Sequence, residues 1–266
     1  INIDGGDYQQ TTVMMKPYAS RPGYHGDYLL NPTLISAAVM KAQSVGMDTH
    51  SHAIGDAAIK AHIDAVELAR KAYPNSKSRH TISHAQYMTD EEIARLAKLG
   101  MVAQFSAQWA VPDPGVKASV DIIGTDVAYK EYIRIASVIK AGGRVAFGTD
   151  WPAANYTSTY KPLDAIQSAV TRAMLPQYAK SQFLPQMPPV NEVISLADAL
   201  QASTLAAAYV LRLEDKIGSV EVGKLADLVV LEKNLFDVPN GEIAGTKILL
   251  TMFNGKVVFE SPETNR

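Results

Sequence analysis

An α/β fold built from repeated strand–helix units is what this sequence predicts. Two observations carry it. Short apolar runs ending in polar residues recur along the chain, and each is followed by a segment with helical spacing of apolar residues and recognisable caps. Alternation of this kind implies a parallel sheet with helical crossovers. The last fifty or so residues change texture and read as a small β-rich piece, which divides the chain into 1–213 and 214–266.

The elements follow in order. Ile1-Asn-Ile-Asp-Gly-Gly reads as the tail of a strand running into a loop. Asn31-Pro32 opens a helix, Asn31 as N-cap and Pro32 at the first helical position, with Leu34, Ile35, Ala38, Val39 and Ala42 on one face. Gly46 ends it, and Met47–His52 is a strand. Gly55-Asp56 starts a helix that runs to about Tyr73, before Pro74 and Asn75. Arg79–His84 is the next strand. Thr89-Asp-Glu-Glu92 is a capping box for a helix ending at Gly100. Met101–Phe105 is a strand, and 107–128, with Pro112, Pro114, Gly115 and Gly124, is expected to be a long excursion with turns. A helix is expected over Tyr129–Ala141, a strand over Val145–Thr149, and further helices over Lys161–Ala173 and from Ser195 to about Leu211. From Ile217 onward, Gly218–Leu231 and Ile248–Phe259 are β-rich runs joined by turn residues such as Asn254-Gly255. Eight strand–helix units would close a barrel, and about half that number is visible. The chain is therefore expected to be the C-terminal part of a longer protein.

Composition narrows the class. At 266 residues and 47% hydrophobic the chain can bury a sizeable core, and its net charge is −2. No basic stripe interleaved with aromatics points to nucleic acid, and no apolar run reaches the length of a membrane span. There is no cysteine, which excludes disulfides and thiolate ligands but leaves the compartment undecided; a cytoplasmic location is the expectation.

Three residues stand out chemically. His52, His84 and Asp150 each end or follow a short apolar run, in His50-Ser-His52-Ala-Ile-Gly-Asp56, His80-Thr-Ile-Ser-His84-Ala-Gln86 and Val145-Ala-Phe-Gly-Thr-Asp150-Trp-Pro152. Imidazole and carboxylate suit zinc and similar divalent metals. In a barrel the C-terminal strand ends converge on one face, so residues distant in sequence can meet there, and that arrangement points to a metal-dependent hydrolase. A lone strand histidine is more often structural. His52 gains weight only with the other two counted, while His50 has the competing role of a hydrogen bond within the barrel. His80 is read as buried, His62 as a surface or packing residue, and His25 as a residue near the mouth. Asp150 has helix capping as its bland reading, but no helical pattern begins until about Lys161. A carboxylate there can bind a metal or act as a general base. Asp227 reads as structural. A Gly-x-Ser-x-Gly elbow, a Walker loop and a Gly-x-Gly-x-x-Gly loop are all missing from the sequence.

At these residues the chain resembles the amidohydrolase superfamily, in its family 3 branch. The likeness runs through His52-Ala-Ile-Gly-Asp56, His84-Ala-Gln86, Phe147-Gly-Thr-Asp150-Trp-Pro152, Ala169-Val-Thr-Arg172 and the region Ile217–Val229. It implies a (β/α)8 TIM barrel, of which roughly the C-terminal half is present, with a small composite β-domain at the C-terminus. It implies His52 as the strand 5 ligand, His84 as the strand 6 ligand and Asp150 as the strand 8 aspartate, acting as both metal ligand and catalytic base. One or two divalent ions, zinc first, would be held, with a bridging carboxylated lysine expected just before Ile1. The strand 1 His-x-His is not in this chain, since His50-Ser-His52 is joined to Ala-Ile-Gly-Asp. Gln104-Phe-Ser-Ala-Gln-Trp109 departs from the Gln-Pro-x-His pattern of many relatives, which points to an apolar pocket wall at Trp109. His50, Gln86, Trp109 and Trp151 are the substrate-binding candidates. The reaction implied is hydrolysis of an amide or N-acyl C–N bond of a small molecule. The alternatives are deamination of a cyclic amidine or aminoazine at a single metal, and a non-catalytic binding module on the same fold. The expected partners are the small-molecule substrate, the N-terminal remainder of the same protein and a second copy in a homodimer, with neither nucleic acid nor membrane.

Overall fold

A computed structural model describes residues 1–152 and 159–262. Its centre is a four-stranded parallel sheet in the order β1 (Thr49–Ala53), β2 (His80–His84), β3 (Val102–Phe105) and β4 (Arg144–Phe147). The register runs evenly across it: His52 pairs with Ser83, Ser83 with Gln104, and Gln104 with Ala146. At the open edge, Asn2 bridges His52 in parallel, with Ile3 N donating to His52 O at 3.1 Å and His52 N to Ile1 O at 2.8 Å.

Helices α1 (Pro32–Ser44), α2 (Asp56–Ala72) and α3 (Asp90–Lys98) form where their caps predict. The Asn31 side chain accepts from Leu34 N at 3.0 Å, and Thr89 accepts from Glu92 N at 3.5 Å. Their apolar faces, with Ile35, Val39, Ile59, Ile63, Val66, Ile93 and Leu96, join Ala53, Ile82, Ala103 and Phe105 of the strands in one core. Fully burying side chains of this size contributes roughly 1.5–3 kcal/mol each.

Beyond β3 the structure departs from the expected turns. A 3-10 turn, Ala107–Trp109, leads to α4 (Pro114–Ile123) and α5 (Thr125–Glu131). Asp113 caps α4, its side chain accepting from Val116 N at 2.7 Å, with Pro114 in the first turn. This is the same signature as Asn31-Pro32, obscured by the density of Pro and Gly around it. The single helix expected over 129–141 is also interrupted. Tyr132 and Ile133 break it, with Ile133 at φ +46°, before α6 (Ile135–Lys140). After β4 come α7 (Pro162–Thr171), α8 (Leu196–Ser203) and α9 (Leu205–Val210), the last two divided at Thr204 where one helix was expected.

At the N-terminal end of the sheet Tyr209 of α9 lies between two guanidinium groups, Arg79 at 3.7 Å and Arg144 at 3.8 Å from its ring. That end is closed, which leaves the opposite, C-terminal end for chemistry. The tail forms an antiparallel sheet of β5 (Leu228–Leu231), β6 (Ile248–Phe253) and β7 (Lys256–Glu260), in that order. Asn254-Gly255, both at positive φ, makes the two-residue turn between β6 and β7. The run 218–226 forms turns rather than the strand expected there. Leu235 and Ile243 from this tail are buried in the main core, and Ala244 N donates to Gln167 Oε1 of α7 at 2.7 Å. No helix among the described residues is long and apolar enough to cross a membrane.

Candidate active site

A cavity of about 470 Å³ opens at the C-terminal ends of the parallel strands. His52 and His84 reach it from β1 and β2, Trp109 from the turn after β3, and Asp150 from the segment after β4. The segments after the strand tails complete it with Asp7, Tyr8, Gln86 and Tyr132.

His84 gets there by leaving the strand's alternation. In β2, His80 and Ile82 turn to the helices, and a regular strand would send His84 the same way. Instead His84 has φ +71° and Ala85 φ +46°, a left-handed pair of non-glycine residues. The imidazole swings into the mouth, where it stacks on Trp109 with ring centres 5.0 Å apart and meets the His52 ring edge-on at 4.7 Å. Burial, with His52 and His50 adding to it, pulls the His84 pKa down to about 3. At neutral pH the ring is an uncharged donor, the form a metal requires.

His52 follows the alternation of β1, and its Nδ1 is buried without a hydrogen bond; Asp4 Oδ1 lies 3.3 Å away in a geometry that makes none. Asp4 is itself fully engaged with the backbone, accepting from Ile54 N at 3.1 Å, Gly55 N at 2.9 Å and Val13 N at 3.1 Å. Asp150 stands at φ +55°, and burial raises its carboxyl above the ordinary range while His52 opposes the shift. Two imidazoles, one of them neutral and the other with an unbonded buried nitrogen, and a carboxylate on one cavity are a donor set that suits a zinc-type ion. Among the described residues, however, no group of three or more His, Asp or Glu side chains is drawn close enough to hold an ion. The two imidazoles touch; Asp150 shares their cavity but does not complete a three-donor cluster with them.

The other sequence candidates fall in different places. Gln86 and Trp109 line the cavity. Gln86 Nε2 donates to Asp7 Oδ2 at 2.7 Å, and Trp109 Nε1 is buried with no partner among the described residues. His50 is outside it, on the exposed face of β1 with its Nε2 2.5 Å from Ser83 Oγ, the in-barrel hydrogen bond that was its competing reading. Trp151 is 57% exposed and packs edge-on against Tyr160 rather than lining the cavity. His80 and His62 are both buried against the helices, bonded to Thr49 Oγ1 at 2.7 Å and 3.3 Å. His25 bonds to Met14 O, and Asp227 Oδ1 accepts from Asn254 N at 2.7 Å, a structural role.

A profile of the amidohydrolase family matches residues 1–259. The chain belongs to that family, in its family 3 branch. It is 30% identical over 257 residues to Protein LONG AFTER FAR-RED 3 of Arabidopsis thaliana, covering 97% of this chain and 42% of that protein. It is 25% identical over 226 residues to the N-substituted formamide deformylase of Arthrobacter pascens, covering 83% of this chain and 38% of the enzyme. Among solved structures, an uncharacterized metal-dependent hydrolase from Pyrococcus horikoshii OT3 matches with a TM-score of 0.71 over 91% of this chain and 45% of that one, at 23% identity. The amidohydrolase chain thus spans less than half the length of each. Its parallel sheet and helices are part of a TIM barrel, accompanied by the antiparallel sheet.

Sequence reasoning missed one group in this cavity. Asp7, 5% exposed, accepts from Tyr8 N at 3.1 Å, Gln86 Nε2 and Tyr87 OH at 3.1 Å, with Ser119 also bonded to it. Burial nonetheless raises its pKa. The sequence offers only a weak signal for it: Asp4, not Asp7, directly follows the strand tail, and Asp7 stands beyond Gly5-Gly6.

Proposed function

We propose that the intact protein hydrolyses an amide or N-acyl C–N bond of a small molecule, with His52, His84 and Asp150 contributing to a divalent metal centre, zinc first. The observation that carries this reading is the convergence of those three donors, from three different strand ends, on one cavity. A zinc ion bound there would supply Lewis acidity to the scissile carbonyl and to the attacking water. The remaining ligands, a bridging carboxylated lysine among them, would come from the rest of the protein.

The chain's own residues have distinct tasks. His84 offers an uncharged ring held flat against Trp109, and that stack also keeps water from one side of the imidazole. Asp150 takes the proton of the attacking water on its carboxylate and returns it to the leaving nitrogen. A carboxyl with a raised pKa is suited to giving the proton back. Gln86, its amide fixed by Asp7, contacts the substrate, and Tyr8, Trp109 and Tyr132 form its aromatic wall.

The test measures metal content and turnover of N-benzylformamide, an N-substituted formamide, by the intact protein and its Asp150→Asn variant. General acid–base catalysis contributes roughly 10²–10⁴-fold, so turnover should fall by about that factor while the fold persists. Unchanged turnover in the variant removes Asp150 as the base. An intact protein that binds no metal favours the non-catalytic module instead.

A further inference from the structure

The Ala169-Val-Thr-Arg172 segment has no part in the chemistry above, yet Arg172 is the largest completely buried side chain among the described residues. A guanidinium taken out of water is costly unless its donors are satisfied. Here they are satisfied by carbonyls. Nε donates to Met187 O at 2.8 Å, Nη1 to Ile133 O at 2.9 Å, and Nη2 to Tyr132 O at 3.1 Å and Pro188 O at 2.9 Å. No carboxylate is among these acceptors.

What those carbonyls belong to decides the meaning. Tyr132 and Ile133 are the break between α5 and α6, where Ile133 sits at φ +46°, a strained conformation for a β-branched residue. Ile133 N donates to Gln86 O at 2.7 Å, and Tyr132 OH donates to Trp109 O at 3.1 Å. Gln86, Trp109 and Tyr132 all line the cavity, and Trp109 carries the stack on His84. Met187 and Pro188 lie on the loop between α7 and α8, so one side chain ties that loop to the cavity wall.

We propose that Arg172 is a positioning residue: its fork of four carbonyl bonds holds the Tyr132–Ile133 break open, and through it sets the wall formed by Gln86, Trp109 and Tyr132. Lysine cannot replace it, because an ammonium is a point donor and cannot span four carbonyls on two segments.

Hydrogen–deuterium exchange on the intact protein tests this, comparing wild type with Arg172→Lys and, should that variant not fold, Arg172→Gln. The expected result is exchange about tenfold or more faster at Ile133 and in the segment 107–110, as for loss of one hydrogen bond to a charged donor, with α2 unchanged. With N-benzylformamide as probe, KM should rise by about tenfold and kcat stay within about threefold, the pattern of lost uniform binding. A residue that only adds stability would lower the melting temperature while leaving local exchange and KM as in wild type, and that result overturns the proposal. If wild type does not turn over the probe, the proposed reaction fails on its own, and the exchange comparison still decides the role of Arg172.

Discussion

The pair of buried histidines behind the sheet makes stability fall with acid well before the carboxylates titrate. His80 is completely buried between Thr49 and Gln43. Gln43 Nε2 donates to Tyr73 O at 3.1 Å, so its Oε1 faces His80 Nε2 at 2.7 Å and accepts from it. His80 Nδ1 must then accept from the Thr49 hydroxyl, and the ring is neutral. A proton on Nδ1 would make the Thr49 hydroxyl give up its donation to the ring and accept instead, and would place a charge in a fully buried site. Burial, with Arg70 adding to it, lowers the His80 pKa to about 4, and burial with neighbouring His80 lowers that of His62 to about 3. Both folded values lie below the unfolded value of ~6.5, so between those limits the unfolded state binds more protons and stability drops as pH falls. At pH 5 each histidine costs about 2 kcal/mol relative to neutral pH, from ~1.5 units at ~1.4 kcal/mol per unit. Together they remove about 4 kcal/mol, a large part of an ordinary margin of 5–15 kcal/mol. Asp7 and Asp56, whose pKa values burial raises, act in the opposite direction, so the variant difference is the quantity to read. Urea unfolding by circular dichroism at pH 7, 6 and 5 should show a steep loss in wild type and a shallower one in His80→Gln, which bonds on both sides without titrating. Equal slopes in the two proteins would refute the reasoning.

Two further outcomes concern the turn that follows His52. A Cβ on Gly55 would overlap the backbone carbonyl of Val13, which cannot move aside without disturbing the Asp4–Val13 bond. Gly55→Ala should therefore cost about 1–3 kcal/mol in denaturant unfolding, typical of overpacking, and an unchanged midpoint would show that the 12–13 segment yields freely. Asp4→Asn sets an amide N–H₂ against at least one of the three backbone N–H groups that the carboxylate now accepts. A loss of about 1–3 kcal/mol is expected, the cost of a buried unsatisfied donor. The same midpoint at neutral pH in wild type and variant would argue against it.

Much of the fold is readable in local chemistry. Asn31-Pro32, Thr89 with Glu92, and Asn254-Gly255 each specify a cap or a turn through a bond that needs no distant partner. The errors fall where tertiary contacts decide. The Tyr132–Ile133 break has no glycine or proline, and its carbonyls are held instead by a residue some forty positions later. The 218–226 run has strand-like alternation, yet forms turns, with Val220 and Val222 left 86% and 108% exposed. The helices of 114–131 were hidden by loop-like composition, although Asp113-Pro114 repeats the cap that identified α1.

The site shows the same division at finer scale. Period-two reasoning places His52 correctly, because β1 keeps its alternation through to Ala53. Applied to β2 it fails in an instructive way: it puts His80 and His84 on one face, whereas only His80 stays against the helices. Two consecutive left-handed residues, His84 and Ala85, reverse the direction of the imidazole. No composition rule announces positive φ at a histidine followed by alanine. Such strain, of order 1–3 kcal/mol per residue, persists only where surrounding contacts over-determine it. Those contacts are visible: Ala85 N donates to Ala53 O at 3.2 Å, Tyr87 N donates to Ile54 O at 2.9 Å, and the His84 ring is sandwiched between His52 and Trp109. The His84 conformation is thus set jointly by the loop after β1 and by the turn after β3. The residues that close the cavity are the ones that pull His84 out of its strand.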